Sequence, residues 1–254
     1  MSPWLLALII LILCPIVVLV IFFLILGISC LFIDMNKKYE TDSAYYRWLA
    51  YFVCRMLETY SRVRLHVEGM EKIPVGSRYM MVANHVSNFD PLMLYAAMYA
   101  VDPETIYISK PENFRIIFFG KVIHRLRFLA IDRSSVSASR RVFLEASNEI
   151  INNRNSVVVY PEGTRNKGEG MLPLHSAVFI MALRAKAPVV VSTVQGTQEI
   201  HKRFPWRSTK VTIRVVDVIP AEWVTSHTLQ EISDRAEELM RQDLGIAKET
   251  KEEH

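Results

Sequence analysis

The chain has 254 residues, with 30 Lys and Arg against 26 Asp and Glu for a net charge of +4. That length suits one large domain with a sizeable core, and the slight positive balance falls short of a nucleic-acid-binding surface, so no nucleic-acid partner is expected. The three cysteines, Cys14, Cys30 and Cys54, form no CxxC pair and no disulfide framework, which suits a reducing compartment.

None of the charges lies in the first 33 residues, and Pro3 to Ile33 is almost purely apolar. A helix needs about 20 apolar residues to cross a bilayer core, so the run is expected to anchor the chain in a membrane. A cleaved signal peptide fits less well. No Lys or Arg precedes the run, and it outruns the roughly 7–15 residues of an apolar signal region. Cys14-Pro15 in its middle allows a kink or a shallow hairpin. Lys37, Lys38 and Arg47 come next, and the positive-inside rule then places the rest of the chain on the cytoplasmic side.

Asp42 to Thr59 reads as a helix, because Tyr45, Trp48, Leu49, Phe52, Val53 and Met56 recur at helical spacing. Its aromatic content suits a helix at headgroup level as well as one packed on a core. Beyond it, strands alternate with helices. Strands are expected at Arg62–Val67, Tyr79–Ala83, Thr105–Ser109, Phe128–Ile131, Ser156–Tyr160, Pro188–Val194 and Lys210–Val218. Helices are expected at Pro91–Tyr99, Ser137–Asn152, Ser176–Ala185 and Leu229–Leu244. The last opens on a Thr228…Glu231 capping box and closes at Gly245. This alternation predicts an α/β fold: a mixed, mostly parallel central sheet of about seven strands flanked by helices. Between Lys110 and Arg127, basic residues alternate with bulky apolar ones, as a segment facing an anionic leaflet would; a core helix with basic edges is the second reading.

Four strand ends carry polar residues where α/β proteins collect their active groups. The first is NHVSNFD, residues 84–90. Asp90 is placed to orient the His85 imidazole as a base. Alone, the pattern reads as a capped polar turn before it reads as a base. No other histidine stands at metal-ligand spacing, so no metal is expected. Ser87 is too near to serve as a nucleophile, and no G-x-S-x-G elbow occurs. The second end is FLAIDR, where Arg133 precedes a helix N-terminus and suits a phosphate. The third is PEGTR, with Glu162, Gly163, Thr164 and Arg165 on a tight turn. The fourth is the proline-led strand APVVVSTV from Pro188.

In this order the four blocks resemble those of the glycerolipid acyltransferases, in particular the 1-acylglycerol-3-phosphate acyltransferases, over about Val67 to Val218. The resemblance implies an O-acyltransferase in which His85 is the general base and Asp90 orients it. It implies that Arg133, Glu162, Gly163, Thr164 and Arg165 bind the acceptor, with Asn84 and Asn88 of the first block beside them. It implies an acyl thioester donor, acyl-CoA or acyl-carrier protein, no resident cofactor, a lysophospholipid acceptor and a phospholipid membrane as partner. The expected division is 1–34 membrane anchor, 35–61 interfacial amphipathic helix and 62–254 catalytic domain. One departure stands out: Leu174-His175-Ser176-Ala177-Val178 replaces the Phe-Lys-x-Gly-Ala common in the family. The lysine is missing, which leaves room for another lysophospholipid acceptor. A catalytically silent headgroup binder is the alternative from a different class, and the intact His85 and Asp90 count against it.

Overall fold

Apolar residues at alternate strand positions build two cores, one on each face of a single sheet. The computed structural model describes residues 2–74, 76–166, 168 and 170–246, except the side chains of residues 8, 11, 12 and 15. The strands are β1 (Val63–Glu68), β2 (Met80–Ala83), β3 (Thr105–Ser109), β4 (Leu129–Ala130), β5 (Ser156–Val159), β6 (Val189–Gln195) and β7 (Thr209–Ile219). They form one sheet of seven in the order β1-β7-β6-β2-β5-β3-β4. From β6 to β4 the neighbours are parallel; β7 runs antiparallel to β6, and β1 is parallel to β7.

The main helices are α1 (Pro3–Leu31), α2 (Ala44–Tyr60), α3 (Asp90–Met98), α4 (Phe119–Arg125), α5 (Val136–Ile151), α6 (Ile180–Ala185), α7 (Ile200–Arg203), α8 (Ala221–Ser226) and α9 (Leu229–Leu244). Met81 and Ala83 of β2 pack with Leu49 of α2 and Met93 and Leu94 of α3. Met80 and Val82, one residue out of phase, pack with Phe143 of α5, Met181 of α6 and Ile232 and Met240 of α9. Because both faces are covered, β2, β5 and β6 read as unbroken apolar runs rather than alternating ones.

The N-terminal region folds as two successive helices. α1 exposes Trp4, Ile10, Val18 and Leu24 and buries Leu26 and Cys30 at its last turns. Among the described residues, no helix is long and apolar enough to cross a membrane. α2 begins two residues later than the periodicity suggests, because the Asp42 carboxylate instead takes the Arg47 guanidinium at 2.6 Å. Leu49 of α2 is buried in the core, while Tyr45, Trp48 and Phe52 are exposed.

The basic residues between β3 and β4 turn inward more than expected. Lys121 Nζ donates to Cys30 O at 3.0 Å, at the C-terminal end of α1 where cations are favoured. Arg125 donates to Thr41 O at 2.9 Å. Arg127 is fully engaged: it donates to Tyr39 O at 3.0 Å, Asn155 Oδ1 at 3.1 Å and Glu149 Oε1 at 2.6 Å. Ile116 and Ile117 do face outward.

The Arg127–Glu149 pair is buried on both sides, so removing one partner strands a charge. Arg127→Met is expected to lower stability by roughly 3–5 kcal/mol, and adding Glu149→Leu to recover most of that loss. Urea unfolding midpoints measured in detergent check both values.

Candidate active site

The turn between β2 and α3 is held by side-chain oxygens that stand in for a continuing ladder. Asn84 is buried and sits just past the end of β2. Its amide donates to Val194 O at 3.0 Å, and its Oδ1 accepts from Val194 N at 2.7 Å. Both polar ends of that side chain are therefore occupied in joining β2 to β6. Ser87 Oγ accepts from Phe89 N at 3.2 Å. Its hydroxyl shapes the turn.

Asp90 opens α3 and is fully buried. A buried carboxylate is costly unless donors satisfy it, and four do. Oδ2 accepts from Val86 N and Ser87 N, both at 2.7 Å, and meets His85 Nδ1 at 2.8 Å. Oδ1 accepts from the Thr197 hydroxyl. A carboxylate only accepts, so Nδ1 carries the proton and Nε2 presents its lone pair.

The imidazole lies on the Tyr160 ring, with centroids 4.5 Å apart and planes 29° apart. Burial, and secondly the Asp90 charge, push the Tyr160 hydroxyl well above its ordinary pKa, so the ring stays neutral. Its face favours the imidazolium that forms when His85 takes a proton.

The PEGTR loop grips the histidine by its backbone. Glu162 Oε1 accepts from His85 N at 2.6 Å, and Oε2 from Leu172 N at 2.9 Å. Asn166 N donates to His85 O at 2.7 Å. Burial raises the Glu162 pKa, and the two N–H donors partly offset that rise. Gly163 adopts φ +71°, and a Cβ there would come within 2.9 Å of the His175 ring. His175, at the departed family position, thus covers the turn from outside.

Arg165 lies between the two residues that grip His85 and is exposed, as are Thr164 and Asn88. Arg133 is exposed on the loop after β4, three strands from β2 in the sheet order; three strand spacings are roughly 14 Å. Neither Arg133 nor Arg165 forms an ion pair among the described residues. Asp132 does not pair with Arg133; it accepts from Ser134 N at 2.9 Å and Ser134 Oγ at 2.6 Å. Among the described residues, no cluster of three or more His, Cys, Asp or Glu stands ready to hold a metal.

Thr197, Tyr160 and Asn166 join this site without having been singled out by sequence. Tyr160 and Asn166 flank the PEGTR block, so adjacency was an available signal. Thr197 had none, since only the fold brings the turn after β6 to Asp90.

Fold and site together define an α/β protein with a histidine–carboxylate pair at the carboxyl edge of a mostly parallel sheet. A family model described as Acyltransferase matches residues 64–195, just over half of the chain, and the chain belongs to that family. A 1-acyl-sn-glycerol-3-phosphate acyltransferase of Haemophilus influenzae is 26% identical over 164 residues, 65% of this chain and 67% of that protein. The 1-acyl-sn-glycerol-3-phosphate acyltransferase alpha of Homo sapiens is 27% identical over 180 residues, 70% of this chain and 62% of its own length. The chain thus spans about two thirds of the length of these curated relatives. The crystal structure of a 1-acyl-sn-glycerophosphate acyltransferase from Thermotoga maritima matches with a TM-score of 0.58 at 21% identity, covering 80% of this chain and 83% of that one. At that identity the likeness bears on the fold.

Thr197→Val keeps the shape and removes the hydroxyl donor to Asp90. A hydrogen bond to a charged group contributes about 1.5–3 kcal/mol, so kcat for acyl transfer is expected to fall roughly tenfold or more. KM should stay level, and Thr197→Ser should restore most of the rate. Steady-state kinetics of the three proteins check this.

Proposed function

We propose that the chain transfers a fatty acyl group from an acyl thioester to the free hydroxyl of a lysophospholipid, 1-acylglycerol-3-phosphate, giving phosphatidic acid. The observation that carries this reading is the orientation of His85: Nδ1 is committed to the Asp90 carboxylate at 2.8 Å, which leaves Nε2 as a base. The side chain is still 17% exposed, so a substrate hydroxyl can reach it.

In the step that follows, Nε2 removes the hydroxyl proton as the oxygen attacks the thioester carbonyl. The tetrahedral intermediate collapses, the C–S bond breaks, and the proton held on Nε2 passes to the departing thiolate, which leaves His85 neutral again. Asp90 and the Tyr160 ring stabilise the transient imidazolium. No side-chain hydroxyl or thiol lies against His85 among the described hydrogen bonds, which supports direct transfer without an acyl-enzyme. The donor is acyl-CoA or acyl-carrier protein, with no resident cofactor. Arg165, fixed beside the histidine by Glu162 and Asn166, takes the acceptor phosphate. Arg133 is placed for the far end of an extended acceptor. His175 adds a cation at the Gly163 turn only when it is protonated.

The same reading makes the chain a membrane protein, with α1 as its anchor and the remainder on the cytoplasmic side. The uncharged run Pro3–Ile33 and the outward-facing apolar side chains of α1 support this.

His85→Ala is expected to lower thiol release by roughly 10²–10⁴-fold, the range of general base catalysis. Retention of most of the activity would refute the mechanism. Acceptor profiling tests the substrate. Lysophosphatidic acid should outrun lysophospholipids whose phosphate is esterified; equal rates would refute the phosphate-monoester acceptor.

A further inference from the structure

The turn that carries Thr197 runs on into a surface that acyl transfer leaves unused. From Gly196 the chain passes through α7 to β7 and exposes Lys202, Arg203, Trp206 and Arg207. Trp206 is 86% exposed. The ring of Phe204 packs 5.1 Å from that of Tyr60 at the end of α2, and Tyr60 is itself 71% exposed. Arg62 lies two residues further on, and its carbonyl accepts from Thr209 N at 3.1 Å. The only acid from Gly196 to Lys210 is Glu199, which holds Lys202 at 2.8 Å. Among the described residues, Arg62, Arg203 and Arg207 form no ion pair.

Two relations give this patch a direction. His201 packs 5.2 Å from Phe89, the residue before Asp90, so the patch adjoins the catalytic turn. α1 runs antiparallel to α2: Ser29 Oγ is 2.6 Å from the Tyr45 hydroxyl, and the Phe22 ring is 5.6 Å from Phe52. The N-terminal turns of α1 therefore project past Tyr60, on the edge where the patch lies. An exposed Trp and Tyr among unpaired cations match the headgroup layer. Amphipathic rings settle there, and an anionic leaflet attracts Lys and Arg.

We propose that the 201–207 loop, with Tyr60 and Arg62, docks on the anionic headgroup surface of a bilayer and holds the mouth of the site against the lipid, separately from α1. The proposal rests on the reading of the chain as acting at a membrane. An acidic carrier protein would match the cations, but it would not account for Trp206 standing exposed on the edge where α1 projects.

The test uses the full chain with vesicles of phosphatidylglycerol or phosphatidylcholine brominated near the headgroup. The Trp206 emission is obtained by difference from Trp206→Phe. Quenching of that component by brominated phosphatidylglycerol is expected. It should be largely lost in phosphatidylcholine, at high salt, and in a Lys202→Glu, Arg203→Glu, Arg207→Glu variant whose thermal transition matches the parent. Absence of quenching in both lipids overturns the proposal. So does equal quenching in both, or a Trp206 response to an acidic acyl carrier protein and not to vesicles. Quenching requires no turnover, so its outcome stands apart from that of acyl transfer.

Discussion

The site depends on one buried carboxylate. Asp90 begins α3 with no exposure to solvent, and it is held there by two turn amides, one imidazole and the Thr197 hydroxyl. Each donor compensates for lost hydration. Together they fix the carboxylate, and the carboxylate fixes the tautomer of His85. Were these donors lost while the group stayed buried, it would be an unpaired charge, so the turn and the orientation of His85 are held by the same contacts.

Three parallel strands deliver the parts to that point. β2 ends at the histidine turn, β5 ends at the loop that grips His85 through Glu162 and Asn166, and β6 ends at the turn bearing Thr197. In the sheet order β2 lies between the other two, so loops from both sides close on it. Gly196 makes the last approach possible: it adopts φ +89°, and a Cβ there would fall 2.2 Å from the Lys210 carbonyl oxygen. Asn84 then locks β2 to β6 at the very end of the ladder. The position of His85 is thus set by side chains that bond to the main chain around it.

Much of the fold could be read in the sequence because both faces of the sheet are covered. Val157–Val159 and Val189–Val191 announce themselves as buried strands. α9 was bounded to the residue by its capping box and Gly245. Other boundaries shifted. The helix expected from Ser176 opens as a 3-10 turn over Ser176–Phe179 before α6. β4 narrows to Leu129–Ala130, although Ile131 N still reaches Ser109 O at 2.9 Å. Between Lys110 and Arg127 a core helix with basic edges was the lesser reading, yet α4 is one: its basic residues bond to carbonyls of α1 and the 37–41 linker, partners distant in sequence. The site divides the same way. His85 with Asp90 and Glu162 with Arg165 are local patterns that a sequence displays. Thr197 is 107 residues from Asp90, and no local rule links them. Tyr160 under the imidazole is a property of packing.

The central claim is that Asp90 acts by orienting His85. The most direct measurement is the kinetics of Asp90→Asn on acyl thioester and lysophosphatidic acid, read alongside its thermal transition. The expected kcat is lower by roughly 10³–10⁴-fold, as where an amide leaves a catalytic histidine in the wrong tautomer, with the acceptor KM nearly unchanged. A folded variant that turns over within a few-fold of the parent would contradict it.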